Sequence, residues 1–101
     1  MFKAVCMFKL KKDLNEKTFE DYFKKHVDEA KKLKNLQKYT IAKIINKEDS
    51  KNFYRINELY YNSLAELEES FSTKLAKEAT DDLLKWVDDF KCIIVEENIV
   101  L

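Results

Sequence analysis

Phe53-Tyr54-Arg55-Ile56-Asn57-Glu58-Leu59-Tyr60-Tyr61-Asn62-Ser63-Leu64-Ala65-Glu66-Leu67 is the stretch in which the sequence changes period. Phe53 to Asn62 is rich in aromatic and branched residues and reads as a strand. Ser63-Leu64-Ala65-Glu66 then has the form of a capping box, in which Ser accepts from the third amide and Glu reaches back. Leu64, Leu67 and Phe71 open a helical stripe directly behind it. Upstream, Leu36 to Asn46 is a second strand-like run, and residues 47–52 (Lys-Glu-Asp-Ser-Lys-Asn) form a polar turn of hairpin length. Downstream, after a soft break at Ser72-Thr73, the stripe resumes through Leu75, Ala76, Ala79, Leu83, Trp86, Val87 and Phe90. Lys91 to Glu97 reads as a last strand, followed by the apolar tail Ile99-Val100-Leu101.

The N-terminal half supplies the remaining elements. Phe2 to Leu10 is an apolar strand, broken by the turn-forming Lys11-Lys12-Asp13-Leu14-Asn15. From Thr18 to Lys34, Phe19, Tyr22, Phe23, His26, Val27, Ala30 and Leu33 fall on one face of a helix. Glu20–Lys24, Asp21–Lys25 and Asp28–Lys32 are spaced as i,i+4 ion pairs on the opposite face. Asn35 stands where the chain must leave the helix, and Asn accepts the left-handed geometry that glycine usually takes there. The order β-α-β-β-α-β predicts an α+β fold, ferredoxin-like, with four antiparallel strands carrying helices on one face. Both faces of the strands are nevertheless apolar: Ala4, Cys6 and Phe8 alternate with Val5 and Met7, and Cys92 and Ile94 with Ile93 and Val95. One helix layer covers only one face, so the other calls for a second copy, sheet against sheet, as a homodimer.

Composition bounds what this fold carries. The 101 residues, 1–101, fit a single domain and contain no glycine and no proline. This excludes phosphate-binding glycine loops and the dinucleotide fingerprint. Net charge is zero, but residues 1–55 hold 15 basic against 8 acidic side chains and residues 56–101 hold 4 against 11. The lysines lie on a helix and in turns rather than beside paired strand aromatics, which argues against nucleic acid. Cys6 and Cys92 are too few for a metal motif, and both sit in apolar runs, where they are expected to be buried, reduced thiols. No stretch has the length of a membrane span. The expectation is a cytoplasmic protein with no cofactor and no metal.

Taken together, Phe19-x-x-Tyr22-Phe23-x-x-His26, Tyr39 thirteen residues later, the segment Glu58-Leu59-Tyr60-Tyr61-Asn62-Ser63-Leu64, and Trp86-Val87-Asp88 resemble the EthD-like (ethyl tert-butyl ether degradation) family of the dimeric α+β barrel superfamily. The resemblance covers nearly the whole chain. It implies protomers whose sheets pack into a dimeric barrel, each with a ligand cleft between sheet and helices. Val27-Asp28 follow the His where the family commonly has Ala-Pro, Phe23 replaces its usual tryptophan, and its Gly/Pro turns are absent.

His26, the only histidine, lies on the apolar stripe of the first helix. It is a candidate general acid/base, or else a core histidine held by one hydrogen bond. Tyr54, Ile56, Glu58 and Tyr60 share a strand face by the period of two. There Glu58 can orient His26 or take a proton while Tyr60 or Tyr39 polarises a carbonyl; alternatively Glu58 pairs with a Lys or Arg. Tyr22, Phe23, Tyr39 and Tyr54 are candidate ligand-lining aromatics. Two functions follow from these residues. One is cofactor-free proton transfer, of isomerase or cyclase type, on a hydrophobic or aromatic carbonyl compound. The other is a non-catalytic module holding an apolar ligand or a partner protein.

Overall fold

The computed structural model describes residues 1–46 and 53–101, so the hairpin turn expected at 47–52 lies outside the described residues. The elements are β1 (Phe2–Leu10), α1 (Glu16–Ala30), β2 (Lys38–Lys43), β3 (Arg55–Tyr61), α2 (Leu64–Phe71), α3 (Lys74–Leu84) and β4 (Val87–Glu96). The strands form one sheet in the order β2-β3-β1-β4, with every neighbouring pair antiparallel. This is the ferredoxin-like α+β arrangement expected from the sequence.

Caps fix where the helices begin. Asn15 accepts from the Thr18 amide at 3.1 Å and starts α1 two residues before the expected Thr18. Ser63 accepts from the Glu66 amide at 3.1 Å, which is half of the capping box. The other half does not form as expected, since Glu66 Oε2 is buried without a hydrogen-bond partner. Thr73 accepts from the Ala76 amide at 3.2 Å, so the soft break at Ser72-Thr73 is a full boundary between two helices. The chain turns without glycine by placing Asp13 and Asn35 at φ 66° and 67°, and Asp89 takes φ 51° where the β1–β4 register shifts. Asn and Asp are the non-glycine residues that tolerate this region best. At Asn35 the side chain also donates to the Glu66 carbonyl at 3.2 Å, tying the segment after α1 to α2.

Three further sequence expectations change. The stripe through Trp86, Val87 and Phe90 does not continue the helix, for α3 ends at Leu84 and β4 starts at Val87, four residues before the expected Lys91. The spacing of Leu83, Trp86, Val87 and Phe90 imitates a helix, but pairing of Leu10 with Val87 and Lys9 with Asp88 draws the chain from Val87 onward into the sheet. Glu20 does not serve Lys24: Arg55 reaches it from β3, with Nη2 at 2.8 and 2.7 Å from its two carboxylate oxygens. Finally, Cys6 and Cys92 are not separate buried thiols. They stand opposite each other on β1 and β4, with Cα atoms 4.1 Å apart, and are joined in a disulfide; Cys92 is exposed.

The molecule is 18 Å thick, the depth of one sheet and one helix layer. On the helix side lie Ala4, Cys6, Phe8, Leu59 and Tyr61, all buried. The core has two clusters. One surrounds Tyr61 and Leu67; the other is an aromatic group of Phe8, Phe19, Phe23 and Tyr54. Phe19 stacks on Phe23 at 5.3 Å and meets Tyr54 edge-on at 5.7 Å. On the other face, Val5, Met7, Ile56 and Val95 are half-buried and Ile93 is exposed, so the single chain leaves this face uncovered.

Candidate active site: a cleft between sheet and helices

Strand parity decides which side chains meet the helices. On β3, Arg55, Asn57, Leu59 and Tyr61 face them, while Ile56, Glu58 and Tyr60 face away. Between this face and the helices lies a cleft of about 430 Å³. His26 of α1, Tyr39 of β2, Asn57 of β3 and the Cys6–Cys92 disulfide line it, with Phe71, Leu83 and Phe90 among its apolar walls. Its size suits a small organic molecule.

The cleft holds two unsatisfied polar atoms. His26 Nδ1 and Asn57 Oδ1 are both buried without a hydrogen-bond partner. An orphaned buried polar atom is costly unless something else satisfies it, and both of these belong to residues that line the cleft. The His26 ring stacks on Phe23 at 5.4 Å. Burial pushes its pKa below the ordinary histidine value, and the Asp82 carboxylate opposes this only partly. The imidazole is therefore neutral near pH 7, with one nitrogen free to accept a proton. Burial pushes the Tyr39 phenol up to about 12, so it remains an O–H donor.

Of the expected site residues, the structure brings His26 and Tyr39 into one cleft. Glu58 and Tyr60 lie across the sheet from His26. Glu58 accepts from Lys3 at 2.9 Å and from Tyr60 Oη at 3.3 Å, and the hydrogen bond from Lys3 holds its carboxyl below the usual range against the effect of burial. This is the alternative in which Glu58 pairs with a lysine. Tyr22 stacks on Trp86 at 4.7 Å, Phe23 is fully buried in the aromatic cluster, and Tyr54 donates to Glu20 at 2.5 Å; none of the three lines the cleft. Tyr54 precedes β3 and turns toward the helices, so it leaves the face that its parity with Glu58 assigns to it.

Asn57 is the site residue that sequence reasoning missed. Its signal was present: it is a polar residue in register with Leu59 and Tyr61, the two side chains of this strand most plainly destined for the core. Cys6 and Cys92 were missed as a pair because the register that opposes them is set by the whole β1–β4 ladder and not by local pattern.

No family model and no curated protein matches the chain by sequence. In three dimensions it resembles an ethyl tert-butyl ether degradation (EthD) family protein from Bacillus halodurans C-125. That likeness has 22% identity and a TM-score of 0.83, and covers 97% of this chain and 99% of that one. The fold is the ferredoxin-like one of that protein. It is shared with a dimeric protein of unknown function and ferredoxin-like fold from Bacteroides fragilis NCTC 9343, at 13% identity, TM-score 0.75 and 95% of each chain. A hydroxynitrile lyase from Passiflora edulis is also similar, at 11% identity and TM-score 0.80 over 99% of this chain and 95% of that one. The EthD resemblance read from the aromatic first helix and its histidine thus has a counterpart in the fold. At these identities the likeness concerns architecture, and the chemistry must come from the cleft.

Proposed function

We propose that this chain binds a hydrophobic or aromatic carbonyl compound in the cleft and moves a proton on it, with no cofactor taking part. The observation that carries the reading is that His26 and Asn57, whose Nδ1 and Oδ1 have no hydrogen-bond partner, both line a largely apolar cavity bordered also by Lys77, Thr80 and Asp81. In this reading neutral His26 takes a proton from the carbon next to the carbonyl and returns it to another position. The Tyr39 hydroxyl donates to the carbonyl oxygen as negative charge gathers there. Asn57 Oδ1 accepts from a hydroxyl on the substrate and fixes its orientation. Glu58 and Tyr60 stand outside this site. The active form is a homodimer closed over the uncovered sheet face, in keeping with the dimeric description of the Bacteroides fragilis protein.

The test is ligand screening by NMR against aromatic and alicyclic carbonyl compounds, followed by deuterium exchange of the bound compound's α-hydrogens. His26→Ala is expected to retain binding and to lose exchange by about 10²-fold or more. Retained exchange in that variant refutes the role of His26. Binding without exchange in the wild type makes the chain a binding module. Native mass spectrometry should give twice 12.1 kDa, and a monomer refutes the dimer.

A further inference from the structure

The Cys6–Cys92 bond forms part of the cleft wall, and its two residues differ in exposure. Cys6 is 7% exposed and belongs to the core cluster with Ala30, Leu67 and Ala76, whereas Cys92 is exposed on β4, an edge strand of the sheet. Both line the cavity that contains His26 and Asn57. We propose that this disulfide is a thiol-exchange site, at which a small organic thiol seated in the cleft is captured as a mixed disulfide on Cys92.

The step balances without a further reactant. The thiol RSH ionises and its sulfur attacks Cys92 Sγ. The Cys6–Cys92 bond breaks, and its electron pair leaves on Cys6 Sγ, which takes up a proton from water in the cleft. The product is Cys92–S–S–R and a free Cys6 thiol, and the protein has gained one whole RSH. Exchange depends on access to the attacked sulfur, which directs the thiol to Cys92 and makes buried Cys6 the leaving group. The fold also makes the step reversible. β1 and β4 remain paired from Phe2–Glu96 to Leu10–Val87, so opening the bond leaves Cys6 opposite Cys92, placed to attack the mixed disulfide and release RSH. The apolar wall accepts the body of the thiol. Lys77 and Asp81, which also line the cleft, offer opposite charges and no net preference for an ionic group.

This inference uses the cleft of the preceding proposal but not its proton chemistry, and the readouts are separate. The full-length chain, purified without reductant, is incubated with glutathione or benzyl mercaptan, alkylated with iodoacetamide, and examined by intact mass and peptide mapping. The expected product carries one thiol on Cys92 and the alkyl label on Cys6, favoured about tenfold over the reverse placement. Cys6→Ser should take the same adduct on Cys92 from oxidised glutathione, and Cys92→Ser should take none on Cys6. An adduct placed equally on both cysteines overturns the proposal. So does a bond that opens only after urea unfolding, which would make it purely structural, or two free thiols before any reagent is added. None of these results changes whether a carbonyl ligand bound in the cleft exchanges its hydrogens, so the two proposals fail separately.

Discussion

Glu20 and Arg55 join α1 to β3, and breaking that link is the sharpest test of how the two are held. The guanidinium meets both carboxylate oxygens at 2.8 and 2.7 Å, Tyr54 Oη donates to Oε1 at 2.5 Å, and the Arg55 side chain is only 11% exposed against 31% for Glu20. Exposed ion pairs contribute about 0–1 kcal/mol and hydrogen bonds to charged groups about 1.5–3, so a part-buried pair in which Nη2 serves both carboxylate oxygens should couple by about 1.5 kcal/mol. The assay is a double-mutant cycle, Glu20→Gln against Arg55→Met, followed by urea unfolding at pH 7 and again at successively lower pH. Burial pushes the Glu20 carboxyl up, but the hydrogen bonds from Arg55 and Tyr54 together with the Arg55 charge outweigh it and hold its pKa below the ordinary value. A depressed carboxylate contributes stability that is fully present above its unfolded pKa of about 4.3 and is lost as pH falls through the lower folded value. The coupling should therefore fade on acidification. A coupling under about 0.5 kcal/mol at pH 7, the scatter of independent sites, refutes the reasoning, and so does one that persists in acid. Lys24→Ala supplies the contrast, since the helix-only reading makes Lys24 the partner of Glu20. With Arg55 holding the carboxylate, that change should stay within about 0.5 kcal/mol of wild type.

Two further outcomes follow. Asn35 sits at φ 67° and donates to the Glu66 carbonyl, so Asn35→Ala should destabilise by about 1–2 kcal/mol in urea unfolding while Asn35→Gly, which keeps the backbone comfortable, loses less. Equal losses in the two variants would assign the whole effect to the side-chain bond. His26, its pKa depressed by burial against the pull of Asp82, should titrate by NMR below its unfolded value of about 6.5. Because the fold favours the neutral ring, its contribution is complete above that value and is lost as pH falls through it toward the folded pKa; a midpoint at or above 6.5 would contradict the buried setting.

The fold was legible because its signals are local and agree with one another. A strand-to-helix change of period at Ser63, an unbroken stripe through α1 and an Asn where a left-handed residue was needed each point to the same topology. Where reading failed, a distant partner overrode a local pattern. Val87 and Phe90 keep helical spacing but lie on β4, which pairs with β1, and Glu20 has Lys24 one turn away but Arg55 across the core. The candidate site was only half legible for a simpler reason. Alternation on β3 is readable, but which phase faces the helices turns on whether Asn57 or Glu58 is the polar residue to be hidden. A carboxylate drew the eye as chemistry, although desolvating it costs more than desolvating the amide that the fold in fact buries.

That choice of phase also bears on the proposed dimer, which would cover the open face. A carboxylate can be covered by a partner only if its acceptor capacity is already met, because an ion pair stripped of water is stable only when hydrogen bonds complete its geometry. Glu58 meets that condition within one chain: it accepts from Lys3 at 2.9 Å, from Tyr60 at 3.3 Å and from Thr40 at 3.5 Å. Lys3 in turn donates to Glu97 at 2.6 Å, and its ammonium lies 5.1 Å from the centre of the Tyr60 ring, with Lys38 at 4.9 Å. Around this network Val5, Met7, Ile56 and Ile93 present apolar surface with no polar atom to satisfy. In the proposed dimer the apolar residues would drive association, while the Lys3–Glu58–Glu97 group enters the interface already paired. The cleft on the helix side has the opposite character: its polar atoms, His26 Nδ1 and Asn57 Oδ1, are left without partners. One sheet thus separates a face on which Lys3, Glu58 and Glu97 satisfy each other from a cleft in which His26 Nδ1 and Asn57 Oδ1 have no hydrogen-bond partner, the contrast on which the proposed dimer and the proposed ligand site both rest.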